Sequence, residues 1–233
     1  MNVVGRRIVA AVFGLLLIGN IARAENLPLM TGKGHWGVDL TGELSSREMK
    51  VDGQNDRERV TRQALQLTYG ALDQLDLYAI VGLGNIMFEE TDLDSQTRPY
   101  LGLGFRSTFP LQGGNFAGVS AQFQFGKVSK FDQANTSVSM EDKWTETQAR
   151  LFLGTKDLIR DPEPDLRFYG GLRISTRNDK LSPPNQSSSN AKQKSSFGGI
   201  IGLDFSDRKI FRINAEIGTG DYTNLLISLG LLF

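Results

Sequence analysis

The sequence predicts an all-β protein, a closed antiparallel up-and-down transmembrane β-barrel. Three observations support this fold class. From Gly34 onward, apolar and polar residues alternate with a period of two, which is the pattern of β-strands. Beyond the first 24 residues, no apolar run approaches the roughly 20 residues that a membrane-spanning helix needs. One face of the strands carries Leu, Val, Ala, Ile and Phe, whereas the other face carries acids and arginines.

The hairpin between Leu67 and Gly84 shows the alternation most clearly. Apolar and aromatic residues keep the odd positions on both sides of a tight reversal at residues 73–74, so two strands share one apolar face. The strand count favours ten, and eight is the alternative. Nine is disfavoured because single-chain bacterial barrels have even strand numbers. The predicted strands are 35–50, 58–72, 75–89, 98–110, 115–130, 143–156, 165–178, 195–206, 209–218 and 223–233.

The predicted connections alternate in length. Reversals after the second, fourth and eighth strands are short, at 73–74, 111–114 and 207–208, and a longer proline-bearing turn at 157–164 follows the sixth. Connections after the first, third, fifth and seventh strands are longer and polar, which is the layout of an outer-membrane barrel. The low-complexity run Ser182–Asn190 is predicted to be a flexible exposed loop whose loss is tolerated.

Residues 1–24 have the pattern of a secretory signal peptide. A basic pair precedes an 11-residue apolar run, and an Ala-Arg-Ala cleavage motif ends at residue 24. A retained anchor helix is the alternative, although the apolar run is about half of what a membrane-spanning helix needs. Cleavage leaves residues 25–33 as a short N-terminal periplasmic segment and residues 34–233 as the transmembrane barrel.

Composition excludes several classes of protein. The sequence contains no cysteine, so neither lipoprotein attachment nor a disulfide framework is available to an exported chain. The whole chain has 26 basic and 26 acidic residues, and the leader holds three basic residues and no acidic ones. The mature charge is therefore 26 − 3 = 23 basic against 26 acidic residues, or −3, which gives no basis for binding nucleic acid.

The charged face is expected to line the interior of the barrel. In the core of a soluble sandwich, each of these charges would be strongly destabilising unless paired. A narrow barrel lumen retains some water and allows cross-strand ion pairs, and glycines on the same face leave room for large neighbours. The predicted lumen ion-pair network is Asp39, Glu43, Arg62, Asp76, Arg106, Glu146, Arg150, Arg167, Arg173, Asp204, Arg212 and Glu216.

Aromatic residues of the apolar face lie near the short-turn end of the strands. A ring of aromatics at one depth is typical of an interfacial girdle, whereas a soluble core would scatter them. The alternative is a soluble periplasmic ligand-binding barrel whose apolar faces pack together. The predicted aromatic girdle is Trp36, Tyr69, Phe109, Phe168, Phe205, Phe211 and Phe233.

The last residues, YTNLLISLGLLF, resemble the C-terminal signal of bacterial outer-membrane β-barrels, here carried by Leu229, Leu231 and Phe233. The stretch TYGALDQLDLYAIVGLG is similar to the periplasmic hairpins of small barrels in the opacity and OmpA-like class. Ten strands is the size of omptin-type barrels. The resemblance implies delivery to the barrel-assembly machinery, a place in the cell outer membrane, and contact with outer-membrane lipid and lipopolysaccharide.

The sequence contains no recognisable catalytic constellation. The sole histidine, His35, starts the first strand at the periplasmic end, whereas omptin proteases and lipid A-modifying barrels place theirs toward the membrane or the outer face. Asp39 and Glu43 lie roughly 13 Å apart along one strand. This is too far for paired-carboxylate chemistry, so arginine partners on neighbouring strands are expected. We therefore predict no enzymatic activity and no cofactor, with an outer-membrane barrel enzyme acting on lipid or peptide as an alternative.

Two hypotheses for function remain open. In the first, the lumen network plugs the barrel, and the protein is a structural or surface-interaction protein that acts through its loops. In the second, the network leaves a wet path for small solutes or ions. The acidic residues after the third strand are expected to form a solvated charged loop, with a weak calcium or lipopolysaccharide-bridging site as the alternative: Glu89, Glu90, Asp92 and Asp94.

Overall fold

The computed structural model describes residues 30–51, 53–90, 93–129, 131–133, 136–138, 141–159, 164–182, 188–207 and 210–233. The predicted signal peptide lies outside the described residues, and so does the predicted periplasmic segment up to residue 29. No helix in these ranges is long and apolar enough to cross a membrane.

Ten long strands close into one antiparallel sheet in the described ranges. Each strand pairs with the next in the chain, and the last pairs with the first through ten residue pairs from Gly37–Leu232 to Ser46–Thr223. The all-β barrel with ten strands is therefore confirmed, and the eight-strand alternative is wrong. The strands are β1 (Trp36–Val51), β2 (Gln54–Leu72), β3 (Leu75–Phe88), β4 (Arg98–Pro110), β5 (Phe116–Val128), β6 (Glu141–Gly154), β7 (Asp165–Ser182), β8 (Phe197–Ser206), β9 (Phe211–Thr219) and β10 (Thr223–Leu232).

Burial along the strands is inverted relative to a soluble protein. Outward leucines and isoleucines are exposed, as shown by Leu103 at 63% and Ile201 at 71%. Inward arginines are buried, as shown by Arg173 at 0% and Arg177 at 1%. An apolar band of this kind on the outside of a closed barrel is stable when hydrocarbon covers it.

The first hairpin is longer than the sequence predicts. β1 and β2 stay paired from Trp36–Tyr69 to Val51–Gln54, so the predicted long connection is reduced to residues 52–53. Asp56 and Glu58 face inward, whereas Arg57 between them faces outward. Because water replaces lipid beyond the apolar band, both faces of these strands are polar there, and the alternation that identifies a strand is lost.

A short strand, Ser189–Gln193, completes the wall above the ends of β8, β9 and β10. It pairs with β7 and with β1, where Met49 opposes Gln193. The predicted flexible loop Ser182–Asn190 is therefore wrong at both of its ends, because residue 182 belongs to β7 and residues 189–190 to this strand. Three more short strands extend the sheet at the same end: Leu93–Ser95, Phe131–Gln133 and Thr136–Val138.

The opposite end carries short connections at 73–74, 111–115 and 207–210, and a longer one at 155–164. In the longer one, Asp157 Oδ1 accepts hydrogen bonds from the backbone N–H groups of Ile159, at 3.1 Å, and Leu166, at 3.0 Å. Partial burial alone would raise the pKa of Asp157, but a hydrogen bond with Asp165 and these two N–H groups hold the pKa below its ordinary value. The residue therefore ties this turn together as a carboxylate.

The N-terminal residues of the described chain close the barrel mouth at this short-turn end. Met30 and Thr31 are buried inside the mouth. The backbone N–H of Gly34 donates to the carbonyl oxygen of Gly70 at 2.8 Å. A Cβ at Gly70 would lie 1.7 Å from the carbonyl oxygen of Gly32, so this approach requires glycine.

Candidate functional site

The lumen is the candidate functional site, and its outer end is filled by an apolar layer. Met49, Phe131 and Ala191 are fully buried there, and Phe88 and Leu181 are nearly so. The Phe88 and Phe131 rings lie 6.5 Å apart. These residues come from strand ends and short strands beyond the apolar band. An apolar layer of packed side chains excludes water from this end of the lumen.

Beneath the apolar layer, one carboxylate gathers three arginines. Glu146 Oε2 lies 2.7 Å from Arg62 Nη2, 3.2 Å from Arg47 Nη2 and 3.6 Å from Arg177 Nη1. Arg62 also reaches Glu43 Oε2 at 3.4 Å. Glu146 is on β6, and its partners come from β1, β2 and β7. β7 is a neighbour of β6, but β1 and β2 are not, so the charged layer also bridges strands that are separated in the sheet.

Further carboxylates and aromatic rings complete the charged layer. Glu58 Oε1 lies 2.6 Å from Arg177 Nη2, and Glu58 Oε2 lies 3.4 Å from Arg47 Nε. Asp179 Oδ1 lies 2.8 Å from Arg177 Nη2. The Trp144 ring packs against the Arg177 guanidinium at 4.5 Å and the Arg62 guanidinium at 4.9 Å. Arginine charges in this geometry are stabilised by anions on one side and by ring faces on the other.

The turn between β9 and β10 folds into the lumen rather than away from it. Asp221 Oδ1 lies 2.6 Å from Arg173 Nη2 and also accepts a hydrogen bond from Arg173 Nε. The Tyr222 ring lies between two guanidinium groups, 3.7 Å from that of Arg173 and 4.5 Å from that of Arg47. Its hydroxyl contacts Gln148 on the far wall. The turn therefore crosses the lumen, and we call its residues Asp221 and Tyr222 the latch.

Two small polar cavities lie below this latch. Their volumes are about 100 Å³ and about 50 Å³, and both are lined in part by Gln122 and Arg150. Arg150 Nη1 lies 3.0 Å from Glu216 Oε2, and the Tyr169 hydroxyl donates to the same oxygen at 3.1 Å. Cavities of this size and polarity are large enough for a few water molecules.

The short-turn end of the lumen is closed by separate ion pairs. Arg106 Nη2 lies 3.0 Å from Asp76 Oδ2, and this carboxylate also accepts hydrogen bonds from the backbone N–H and hydroxyl of Thr31. Arg212 Nε lies 3.4 Å from Asp204 Oδ1, and Arg167 Nη2 lies 3.3 Å from Asp165 Oδ2. The N-terminal segment is thus hydrogen-bonded to a carboxyl group of the lumen wall.

The twelve residues predicted as a lumen network all face the lumen, but the structure divides them into several groups. The first group surrounds Glu146, a second holds Arg173, a third holds Arg150 and Glu216, and the remaining pairs lie near the short-turn end. Asp39 lies near Arg212, with which it interacts electrostatically, and it also contacts two uncharged side chains. Its carboxylate lies 3.5 Å from Gln66 Nε2 and 3.5 Å from the Ser228 hydroxyl.

Sequence reasoning missed several members of the lumen. Arg47, Glu58 and Arg177 lie within the predicted strands and share the parity of the predicted network residues there, so the period-two signal was sufficient to find them. Asp179 has the same parity but lies one residue beyond the predicted end of its strand. Asp221 and its neighbour lie in a turn, where no periodic signal exists. The missed residues are Arg47, Glu58, Asp142, Asp165, Arg177, Asp179, Asp221 and Tyr222.

The residues predicted as a girdle lie on the outside near the short-turn end. Trp36 and Tyr69 are exposed, and their ring centroids are 4.8 Å apart. Phe168 and Phe233 are also exposed, and the other three are half-buried. Of the predicted C-terminal signal, Leu229 and Leu231 point outward from β10, and Phe233 follows that strand.

Apart from Asp39 and Glu43, the residues considered for chemistry lie away from the lumen. His35 is exposed at the short-turn end. Glu89 forms ion pairs with Arg57 and Arg59 on β2, and Asp92 lies outside the described residues. In the described ranges, no group of three acidic or histidine side chains is arranged to hold a metal ion.

Comparisons with known proteins identify the fold. No protein-family model matches the chain, and no curated protein matches its sequence. The translocator domain of the autotransporter NalP from Neisseria meningitidis is similar in structure, with a TM-score of 0.52 and 13% identity over 98% of this chain and 94% of that one. The transport unit of the autotransporter AIDA-I from Escherichia coli aligns with a TM-score of 0.37 and 11% identity over 98% and 96% of the two chains. The chain therefore has the fold of a bacterial outer-membrane β-barrel.

Proposed function

We propose that this protein is an integral outer-membrane barrel with a closed lumen, and that it serves as a structural or surface-interaction protein. The protein would act through the strand ends that project beyond the apolar band, including the hairpin of β1 and β2. Outer-membrane lipid and lipopolysaccharide would surround its wall, and the barrel-assembly machinery would insert it with the help of Leu229, Leu231 and Phe233. We propose no catalytic role.

The observation that carries this proposal is the filling of the lumen at three depths in the described part of the chain. The apolar layer around Phe131 lies outermost, the charged layer around Glu146 lies beneath it, and Met30 and Thr31 occupy the opposite mouth. A solute would have to displace all three. Balanced charges within the lumen hold the walls together, as expected of a narrow barrel filled by side chains.

The polar cavities favour a second candidate, a narrow path for small solutes or ions. Their volumes of about 100 Å³ and about 50 Å³ provide wet space beside Arg150. In this alternative, the latch at Tyr222 and the N-terminal residues would move aside during passage. Arg150 and Arg106 would then line the path.

Single-channel recording in planar bilayers distinguishes the two candidates. For a closed scaffold we expect no discrete conductance from the wild type, from Arg150→Ala or from Arg106→Ala. A wild-type conductance that changes in these variants would support the solute path and contradict the closed scaffold.

Membrane location has its own test. An integral barrel remains with the outer membrane after osmotic shock and migrates differently in detergent gels before and after heating. Release of the processed chain with soluble periplasmic proteins would instead support the soluble ligand-binding barrel. Truncation of Phe233 should lower the amount of heat-modifiable protein if the C-terminal residues guide assembly.

A further inference from the structure

Five lysines form a continuous arc on the outer wall of the barrel, beyond the apolar band. They lie on five adjacent strands: β5, β6, β7, the short strand Ser189–Gln193, and β1. All five side chains are exposed. We call this feature the lysine arc, and it consists of Lys127, Lys143, Lys180, Lys192 and Lys50.

The strand register places these lysines next to one another. Lys143 is directly opposite Lys127 on one side and Lys180 on the other. Lys50 is directly opposite Lys192, which also pairs with Asn178, two residues from Lys180 on the same face. Adjacent strands are about 4.8 Å apart, so the arc spans roughly 20 Å. Like charges directly opposite each other destabilise a sheet unless something neutralises them.

The protein neutralises one end of the arc and leaves the other end positive. Glu141 lies 2.6 Å from Lys127 Nζ and 2.7 Å from Lys143 Nζ. In the described ranges, no carboxylate lies within 4.0 Å of Lys50, Lys180 or Lys192. Buried acidic residues are instead concentrated inside the lumen. Among the residues that the structure describes, three ammonium groups without a carboxylate partner therefore face outward together.

The arc begins at the edge of the apolar band and rises along the wall. On β5, the exposed Phe125 lies two residues before Lys127, and its ring centroid is 5.9 Å from that of Phe123. On β7, the exposed Ile174 lies six residues before Lys180. Strand side chains stand perpendicular to the sheet. The lysines therefore point sideways, toward whatever lies beside the barrel above the hydrocarbon.

We infer that the lysine arc binds the phosphate groups of a phosphorylated glycolipid in the outer leaflet. The inference rests on the proposed outer-membrane location, because that location puts lipid headgroups beside the wall at this height. The charge is complementary, and each ammonium group donates up to three hydrogen bonds to phosphate oxygens. The sideways direction favours a lipid neighbour over a soluble polyanion, which would approach from the loop end.

The binding experiment uses the folded full-length mature barrel in zwitterionic detergent micelles. The probe is lipid A carrying both phosphates, and its dephosphorylated form is the comparison ligand. Lys180→Gln/Lys192→Gln removes two charges from the unneutralised part of the arc. Lys33→Gln/Lys156→Gln, which changes two exposed lysines at the short-turn end, is the matched control. Lys180→Arg/Lys192→Arg keeps the charge.

We expect Lys180→Gln/Lys192→Gln to bind the phosphorylated probe about thirty-fold more weakly than the wild type at low salt. The control and the arginine variant should bind as the wild type does. Wild-type affinity should fall with added salt and with removal of the phosphates. The last two measurements use the wild type alone, so they decide the question even if a variant fails to fold.

Several outcomes would overturn the inference. Equal binding of both lipid forms would remove phosphate as the ligand, and equal losses in the arc variant and the control would remove the arc as the site. Stronger binding of a soluble sulfated polysaccharide, with displacement of the lipid, would assign the arc to a soluble partner. Membrane fractionation is independent of these results, so a failure of the proposed location is recognised separately.

Discussion

Glu146 provides the sharpest test of how the lumen is stabilised. Its side chain is 2% exposed, and three guanidinium groups lie within 3.6 Å of Oε2. Glu146→Gln keeps the volume of the side chain but removes the negative charge that these arginines share. Because breaking one partner of a buried ion pair leaves an uncompensated charge, we expect the free energy of unfolding to fall by about 3–5 kcal/mol.

Glu141→Gln is the matched control for this substitution. Glu141 lies on the same strand and also contacts two cations, but those contacts are solvent-exposed. Exposed ion pairs contribute little to stability, so we expect a small fraction of the loss seen for Glu146→Gln. The measurement is urea-induced unfolding in phospholipid vesicles, followed by circular dichroism so that changes near Trp144 do not dominate the signal.

A double-mutant cycle isolates the shortest of the three Glu146 contacts, between Arg62 Nη2 and Glu146 Oε2 at 2.7 Å. Arg62→Gln combined with Glu146→Gln should cost less than the sum of the two single substitutions, because the second change removes a group that the first has already left unpaired. If Glu146→Gln lost no more stability than Glu141→Gln, or if the two single losses were additive, Glu146 would not stabilise the lumen through its arginine contacts.

Two further predictions concern the short-turn end. Gly70→Ala should displace the N-terminal residues from the barrel mouth, because the added Cβ would lie 1.7 Å from the carbonyl oxygen of Gly32. Gly42→Ala is the control, since an added Cβ there meets no atom within 4 Å. We expect faster proteolysis near Met30 in Gly70→Ala than in Gly42→Ala. The pKa of Asp157 is lowered in the folded state, so its contribution to stability is present above the ordinary aspartate pKa and lost as the pH falls through the lowered value. The stability difference between wild type and Asp157→Ala should accordingly shrink in acid unfolding titrations, and a difference that grows toward low pH would contradict this sign.

The face of each residue was predictable from the sequence because it depends on local geometry. A pleated strand sends successive side chains to opposite sides, so Arg62 and Glu146 were assigned to the interior without knowledge of their partners. The same rule places Arg47 and Arg177 inside, because both lie within the predicted strands at positions of interior parity. The start of β2 at residues 54–57 was not predicted, because outward positions beyond the band, such as Arg57, are polar as well.

The contacts across the lumen could not be predicted in the same way. Glu146 on β6 meets Arg47 on β1 because closure of the sheet and the tilt of its strands bring distant wall positions together. The inward fold of Asp221 and Tyr222 depends on Arg173 and on the short strand Ser189–Gln193 above the turn.

Local alternation therefore determined an all-β barrel with an apolar exterior and a charged interior, since each strand carries that information in its own residues. The tertiary structure alone decided that the charges meet in separate groups, that a turn and the N-terminal residues fill the lumen, and that five lysines align outside. These features depend on the register between strands, which is set by closure of the whole sheet and has no signature within one strand.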